Sequence, residues 1–195
     1  QLEGLRLQKI QEDLRVVGLP TVPEDRDHVL VEHSALLLSY NETHEQPNWV
    51  AHMILPAVNQ GTLARTNDFR PDPKVATGTA VKADYWYSGY DRGHLAPSAD
   101  FRWSKAAISE SYFYSNMAPQ RPELTRERWE ELEGFLRQNI RATEEPLCVI
   151  TGPIFEAGME TITQGPNTVA IPKFFYKIAL DYSGATHKAI AFILP

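Results

Sequence analysis

Chemistry in this sequence concentrates in Tyr90-Asp91-Arg92-Gly93-His94-Leu95-Ala96-Pro97. An acid, an arginine, a glycine and a histidine stand side by side there. A histidine titrates near pH 6.5, so its neutral ring can take a proton from water at neutral pH. An arginine offers a planar set of donors matched to phosphate oxygens. The glycine permits a tight turn or a close backbone approach. A hydrogen-bonded surface histidine in a plain turn would also account for the segment.

Further candidates follow downstream. Asn116 and Gln120 lie in Ser115-Asn116-Met117-Ala118-Pro119-Gln120, ahead of a helical segment, where Asn116 could equally satisfy buried backbone groups. Thr125 and Glu133 stand eight residues apart. Glu133 could help hold a hydrated magnesium ion, which takes hard oxygen ligands and keeps several waters. Two plainer readings compete: a surface pair between Glu133 and Arg137 at i, i+4, and an N-cap at Thr125.

These residues must be positioned by the elements around them. Leu2, Leu5, Ile10, Leu14 and Val17 recur at near-helical spacing and Gly18 stops the run, which predicts a helix over 2–17. A connector punctuated by Pro20 and Pro23 follows. Ser34 to Tyr40 and Trp49 to Leu55 read as a hairpin. Residues 56–90, rich in Pro, Gly, Thr, Asn and Asp, read as a long irregular loop, and such loops inside a domain are usually functional. Leu124 to Ile140 reads as a helix whose apolar face is Trp129, Leu132, Phe135, Leu136 and Ile140. Leu147 to Ile150 reads as a buried strand, and Val169 to Asp181 with Lys188 to Leu194 as a second hairpin. This pattern predicts an α+β domain with a mostly antiparallel sheet. Residues 1–33 form a helical extension and connector, and 34–195 the main domain.

Composition narrows the class. The chain has 195 residues, 43% hydrophobic and 23% charged, as expected of a globular protein. No apolar run approaches the roughly 20 residues of a membrane span. The net charge of −6 argues mildly against a nucleic-acid partner, but it is unevenly spread. Residues 61–105 are the one net-positive stretch, with Arg65, Arg70, Lys74, Lys82, Arg92, Arg102 and Lys105 against five acids. A few arginines converging on one phosphate would bind with modest, salt-sensitive affinity. Cys148, the single cysteine, sits between apolar residues and reads as core. No Gly-x-Ser-x-Gly nucleophile elbow is present. His28, His33, His44, His52 and His187 lack partners at metal-ligand spacing and read as surface or structural. The chain starts at Gln1, so an exported or organellar location stays open.

Taken in order, the motifs resemble the DNA/RNA non-specific endonucleases of the ββα-metal, or His-Me finger, superfamily. The matching text is Pro47 to Ala51, Ala64 to Asp72, Ser88 to Pro97, Ser115 to Gln120, Trp129 to Glu133 and Thr151 to Pro153. The resemblance implies a central antiparallel sheet flanked by helices, with a β-hairpin and helix clamping one metal ion. It implies a nuclease that cleaves DNA and RNA with little regard to sequence. His94 would be the general base and Arg65 the stabiliser of transition-state charge. Arg92 and Asn116 would shape the site, Asn116 supporting the metal as well. Arg65, Arg70 and Arg92 would contact substrate. Glu133 would reach the ion through its waters. The cofactor would be magnesium, or manganese or another divalent cation, bridging the scissile phosphate and the leaving oxygen as a Lewis acid.

One departure stands out. The family's direct metal ligand is usually an asparagine eight residues before the glutamate, and here that position is Thr125. The threonine oxygen lies one bond closer to the backbone, about 1.2 Å short of an asparagine oxygen. Weakened metal affinity is the expectation. A nucleic-acid-binding protein with impaired catalysis is the alternative, and a hydrolase of other phosphodiesters a third reading. Family members often pair as homodimers, for which the 2–17 helix is a candidate contact.

Overall fold

The computed structural model describes every residue except Val22. Helix α1 spans Leu2–Val16. Strands β1 (Val29–Glu32), β2 (Leu36–Asn41) and β3 (Gln46–Ile54) follow. A short helix α2 (Lys82–Tyr85) precedes β4 (Asp91–His94). Next come α3 (Lys105–Glu110), β5 (Met117–Gln120), a π-helical segment Leu124–Trp129 and α4 (Glu130–Thr143). The chain closes with β6 (Leu147–Ile154), β7 (Thr161–Ile162), β8 (Val169–Ala170), β9 (Phe174–Asp181) and β10 (Lys188–Leu194).

Six strands make one sheet in the order β1-β2-β3-β6-β9-β10, every neighbouring pair antiparallel. This is the expected α+β architecture. Alternate residues of a strand face opposite sides of a sheet. Ile54, Leu147, Val149 and Ala179 thereby share one side and pack with Leu136 and Ile140 of α4. Leu36, Leu38, Ala51, Met53, Cys148, Phe101 and Tyr112 belong to the main core, together with Ile10 and Leu14 of α1. The N-terminal helix therefore uses its buried residues within its own chain, while Leu2 and Leu5 stay exposed.

Four details differ from the sequence reading. The segment read as a connector contains β1, which pairs with β2 from Val29↔Tyr40 to Glu32↔Leu37. Its burial is half-hidden at an edge, so its alternation is weak. The strand expected over 169–181 is broken. Val169–Ala170 pairs with Thr161–Ile162, and the main-sheet strand starts only at Phe174. Pro172 lies in the break and has no N–H to give to a ladder. Phe135, expected in the helix core, is 54% exposed. Thr125 is not an N-cap, because it lies inside the π-helical turn and its N–H already reaches the Arg121 carbonyl at 3.1 Å. A π turn adds a residue per turn and rotates what precedes it, and such turns recur at functional sites.

Residues 56–90 are mostly irregular, as expected, but they are tied down. Arg70 bridges to Phe113, with backbone bonds Arg70 N–H to Tyr112 O at 3.3 Å and Tyr114 N–H to Arg70 O at 3.0 Å. The loop thus runs alongside the segment that leads into β5.

Candidate active site

β4 and β5 pair as a small hairpin separate from the main sheet, in the register Asp91↔Gln120 to His94↔Met117. Gly93 is required within it, since a Cβ there would overlap the Gln120 side chain. His94 ends β4. Its ring lies edge-on to Tyr112, with centroids 4.9 Å apart, and to Phe69 at 5.6 Å. Nε2 is sealed and has no protein partner among the described residues. Burial, then the charges of Arg65 and Arg92, push the imidazole pKa down to about 3. At neutral pH the ring is therefore neutral, as a proton acceptor must be.

Two contacts bind this hairpin to the helix. The Trp129 indole donates to the His94 carbonyl at 3.3 Å. Arg126 grips Asp91 with two bonds of 3.1 and 3.0 Å. The helix bearing Glu133 is thereby held against the strand bearing His94. Between and around them opens a cleft of about 560 Å³, lined by Arg65, Arg92, His94, Thr125 and Glu133 among others. Five of the seven expected site residues are brought together there.

Arg92 sits over Phe69, its guanidinium carbon 3.8 Å from the ring centroid, which holds the guanidinium at the cleft wall. Arg65 is exposed, and its Nε donates to Asn67 Oδ1 at 2.8 Å. Among the described residues both arginines keep further N–H donors without partners, available to an anion.

The other two expected residues lie elsewhere. Asn116 is fully buried. Its Oδ1 accepts from Ala96 N–H at 2.9 Å, and its Nδ2 donates to the carbonyls of Ala96 and Ser111 at 2.8 and 2.9 Å. Its backbone carbonyl accepts from Leu95 N–H at 2.9 Å. It holds the chain directly after His94 and has no oxygen turned to the cleft, so the metal-ligand assignment made for it is corrected. Arg70 does not line the cleft either. Its guanidinium donates to Asp68, to the Ser109 carbonyl and to Ser109 Oγ, and lies 4.1 Å over Phe113. Most of its bonding is spent within the fold, and its side chain lies outside the cleft.

The Glu133–Arg137 surface pair does not form. Arg137 Nη1 instead donates to Asp100 Oδ1 at 3.0 Å, and His52 Nε2 meets Asp100 Oδ2 at 2.8 Å. Burial would raise the Asp100 carboxyl, but the bonds to His52 and Arg137 outweigh it and hold the pKa below the ordinary value. Among the described residues Glu133 has no such partner. Burial pushes its pKa up to about 7, opposed by the charge of Lys177. Lys177 is itself buried, which lowers its pKa, and its ammonium donates to Leu95 O at 3.2 Å and Thr151 Oγ1 at 2.7 Å. The contacts of Lys177 and Trp129 at the site, and the His52–Asp100–Arg137 cluster, were not found from sequence. The one available signal was a lysine at an inward position of β9, between Phe175 and Ala179.

The donors present fit a hydrated divalent cation. Among the described residues no cluster of three or more His, Cys, Asp or Glu could cage an ion. Magnesium needs no such cage, since one or two carboxylates plus waters and substrate phosphates suffice. Glu133 offers a carboxylate free of hydrogen bonds among the described residues. Thr125 Oγ1 donates to Gln120 Oε1 at 3.1 Å or Arg121 O at 3.3 Å, and keeps its lone pairs.

A two-stranded hairpin with a terminal histidine, followed by a helix carrying an acid toward the same cleft, is the His-Me finger arrangement. The comparisons agree. A profile of the DNA/RNA non-specific endonucleases matches residues 17–195. Mitochondrial endonuclease G of Bos taurus is 34% identical over 94% of this chain and 63% of its own length. A nuclease of Syncephalastrum racemosum is 33% identical over 94% of this chain and 62% of its own. A solved structure of the EndoG/EndoGI complex superposes with a TM-score of 0.80 at 28% identity, covering 95% of this chain and 79% of that one. The chain belongs to the DNA/RNA non-specific endonuclease family. It spans somewhat less than two thirds of the length of these curated relatives.

Proposed function

We propose that this protein is a metal-dependent endonuclease that hydrolyses phosphodiester bonds of DNA and RNA without strong sequence specificity. The observation that carries this reading is the neutral, partner-free His94 ring in a cleft shared with Arg65, Arg92 and Glu133.

His94 accepts the proton of the attacking water at Nδ1, since Nε2 is sealed from solvent. Its free-state pKa of about 3 makes it a weak base. A phosphodiester arriving between Arg65 and Arg92 offsets the charges that add to burial in depressing the ring, so substrate recovers that part of the basicity of His94. Arg65 would stabilise negative charge as it develops, and Arg92, from its seat on Phe69, would orient the phosphate. Thr125 and Glu133 would hold a divalent cation, magnesium or manganese. Bound there, such an ion would supply Lewis-acid neutralisation of the charge on the phosphate and the leaving oxygen. Asn116 and Lys177 position the strand end that carries His94, through Leu95 and Ala96.

Nothing in this set reads a base edge, and phosphate contacts carry no sequence information. Nor does the chemistry use a 2′-hydroxyl, so both nucleic acids serve. The reading as a binding protein without catalysis is not favoured, because the relatives named above are nucleases and Thr125 still faces the cleft. An organellar site of action fits a likeness to mitochondrial endonuclease G.

The test is nicking of supercoiled plasmid and of RNA with magnesium or manganese. His94→Ala should lose at least about 10²–10⁴-fold, the contribution of a positioned general base. Near wild-type nicking by a folded His94→Ala protein would overturn the assignment.

A further inference from the structure

Beside the catalytic residues, the same cleft carries two aromatic side chains that the phosphate chemistry does not use. Trp86 is 51% exposed and Tyr87 is 90% exposed, and both line the cleft with His94, Arg65 and Arg92. Their rings meet at 85° with centroids 5.3 Å apart. The Lys82 ammonium lies 4.1 Å from the Trp86 ring centroid. Large aromatic rings left in water lose the burial that usually stabilises them.

The pair stands on a rigid base. Asp84, just before it, is fully buried and accepts from Val81 N–H at 2.7 Å, from Asn167 N–H at 2.9 Å and from Asn167 Nδ2 at 2.9 Å. Tyr85 is buried and stacks on Tyr114 at 5.8 Å. The Trp86 carbonyl is gripped by the Gln164 amide. Tyr87 itself has φ of +57°, in the left-handed region that bulky residues rarely adopt. Such strain persists only where the surroundings enforce it, and here its result is a tyrosine ring held out in solvent at the cleft.

Resting on the nuclease reading, we propose that Trp86 and Tyr87 form an aromatic corner that stacks an unpaired nucleobase face-on against one ring and edge-on to the other, next to the scissile phosphate, giving a preference for single-stranded nucleic acid. Every base has a flat π face, so stacking on an aromatic ring tolerates any sequence. In a duplex those faces are covered by neighbouring bases. In a single strand they are open. The cations Lys82, Arg65 and Arg92 in the same cleft supply the complement to the strand's phosphates. A platform beside a cationic groove is the arrangement that holds single strands without reading sequence.

The experiment measures magnesium-dependent cleavage of labelled oligothymidylate and of its duplex with oligoadenylate. Wild type, Trp86→Ala, Tyr87→Ala, Trp86→Phe and Tyr87→Phe are compared, with circular dichroism as the check on folding. Each alanine variant should raise KM for the single strand by about ten-fold, within the range that one lost stack produces, while the duplex KM stays in place. The phenylalanine variants keep a ring and should stay near wild type. Equal changes on single strand and duplex would overturn the proposal, as would no change on either.

Quenching of Trp86 fluorescence by oligothymidylate, taken as the difference from Trp86→Ala, separates the platform from the chemistry. Quenching without cleavage would remove the nuclease reading and leave the platform standing. Cleavage without quenching would remove the platform alone.

Discussion

Asn116 closes a two-bond ring with Ala96: its Oδ1 accepts the Ala96 N–H at 2.9 Å while its Nδ2 donates to the Ala96 carbonyl at 2.8 Å. Ala96 lies two residues beyond His94, so this ring sets the path of the backbone that ends β4. Asn116→Ala would leave buried backbone groups of Ala96 and Ser111 without partners. Each costs about 1–3 kcal/mol when orphaned in the interior. The expected outcome is a lower melting temperature and a reduced kcat, with divalent-ion affinity unchanged in calorimetry. A selective loss of ion affinity in a protein of normal stability would restore Asn116 as a ligand.

Arg65 acts on charge in two ways. After burial, it is the larger of the two cationic influences that depress the His94 pKa. Arg65→Ala should therefore raise that pKa, visible in an NMR titration of the ring in the free protein. Turnover should nonetheless fall by about 10²–10³-fold, as when one donor to a developing anion is removed, with a smaller change in KM. A raised KM with unchanged kcat would limit Arg65 to ground-state binding.

Thr125 is the residue that departs from the family's usual metal ligand. An asparagine there would place its oxygen about 1.2 Å farther out along the side chain. Thr125→Asn should lower the magnesium concentration needed for half-maximal cleavage by about ten-fold, the low end of the effect of reshaping a metal's surroundings. Unchanged or poorer metal-dependent cleavage would remove Thr125 from the metal site.

Glu133 links metal to protons. Its pKa is raised by burial to about 7, so the neutral acid is the form the fold favours. The associated stability is fully present below the ordinary carboxyl range and is lost as pH rises through about 7. A divalent cation favours the ionised form and reverses that loss. Magnesium affinity should therefore climb between about pH 6 and pH 8, with proton release at the acidic end. Calorimetry in buffers of different ionisation enthalpy measures both. Glu133→Gln should lower the affinity and flatten its pH dependence. Constant affinity across that window in the wild-type protein would place the ion away from Glu133.

Much of this molecule could be read before its structure. The Asp91-Arg92-Gly93-His94 segment, the spacing of Thr125 and Glu133, and the long loop before them are local patterns, and local patterns are what one chain displays directly. The patterns of 34–40, 49–55 and 124–140 likewise announced the central strands and α4. What the tertiary structure decided are pairings between distant residues. His52 meets Asp100 across 48 positions and Lys177 meets Leu95 across 82. Asn116 and Arg70 have residue types suited to a metal and a phosphate, yet folding brings backbone groups to the polar atoms of Asn116 and holds Arg70 on Asp68 and Ser109, outside the cleft. Residue type fixes what a side chain can bond to. Only the packed chain fixes which partner reaches it, because a buried polar group must be satisfied by whatever the fold sets beside it.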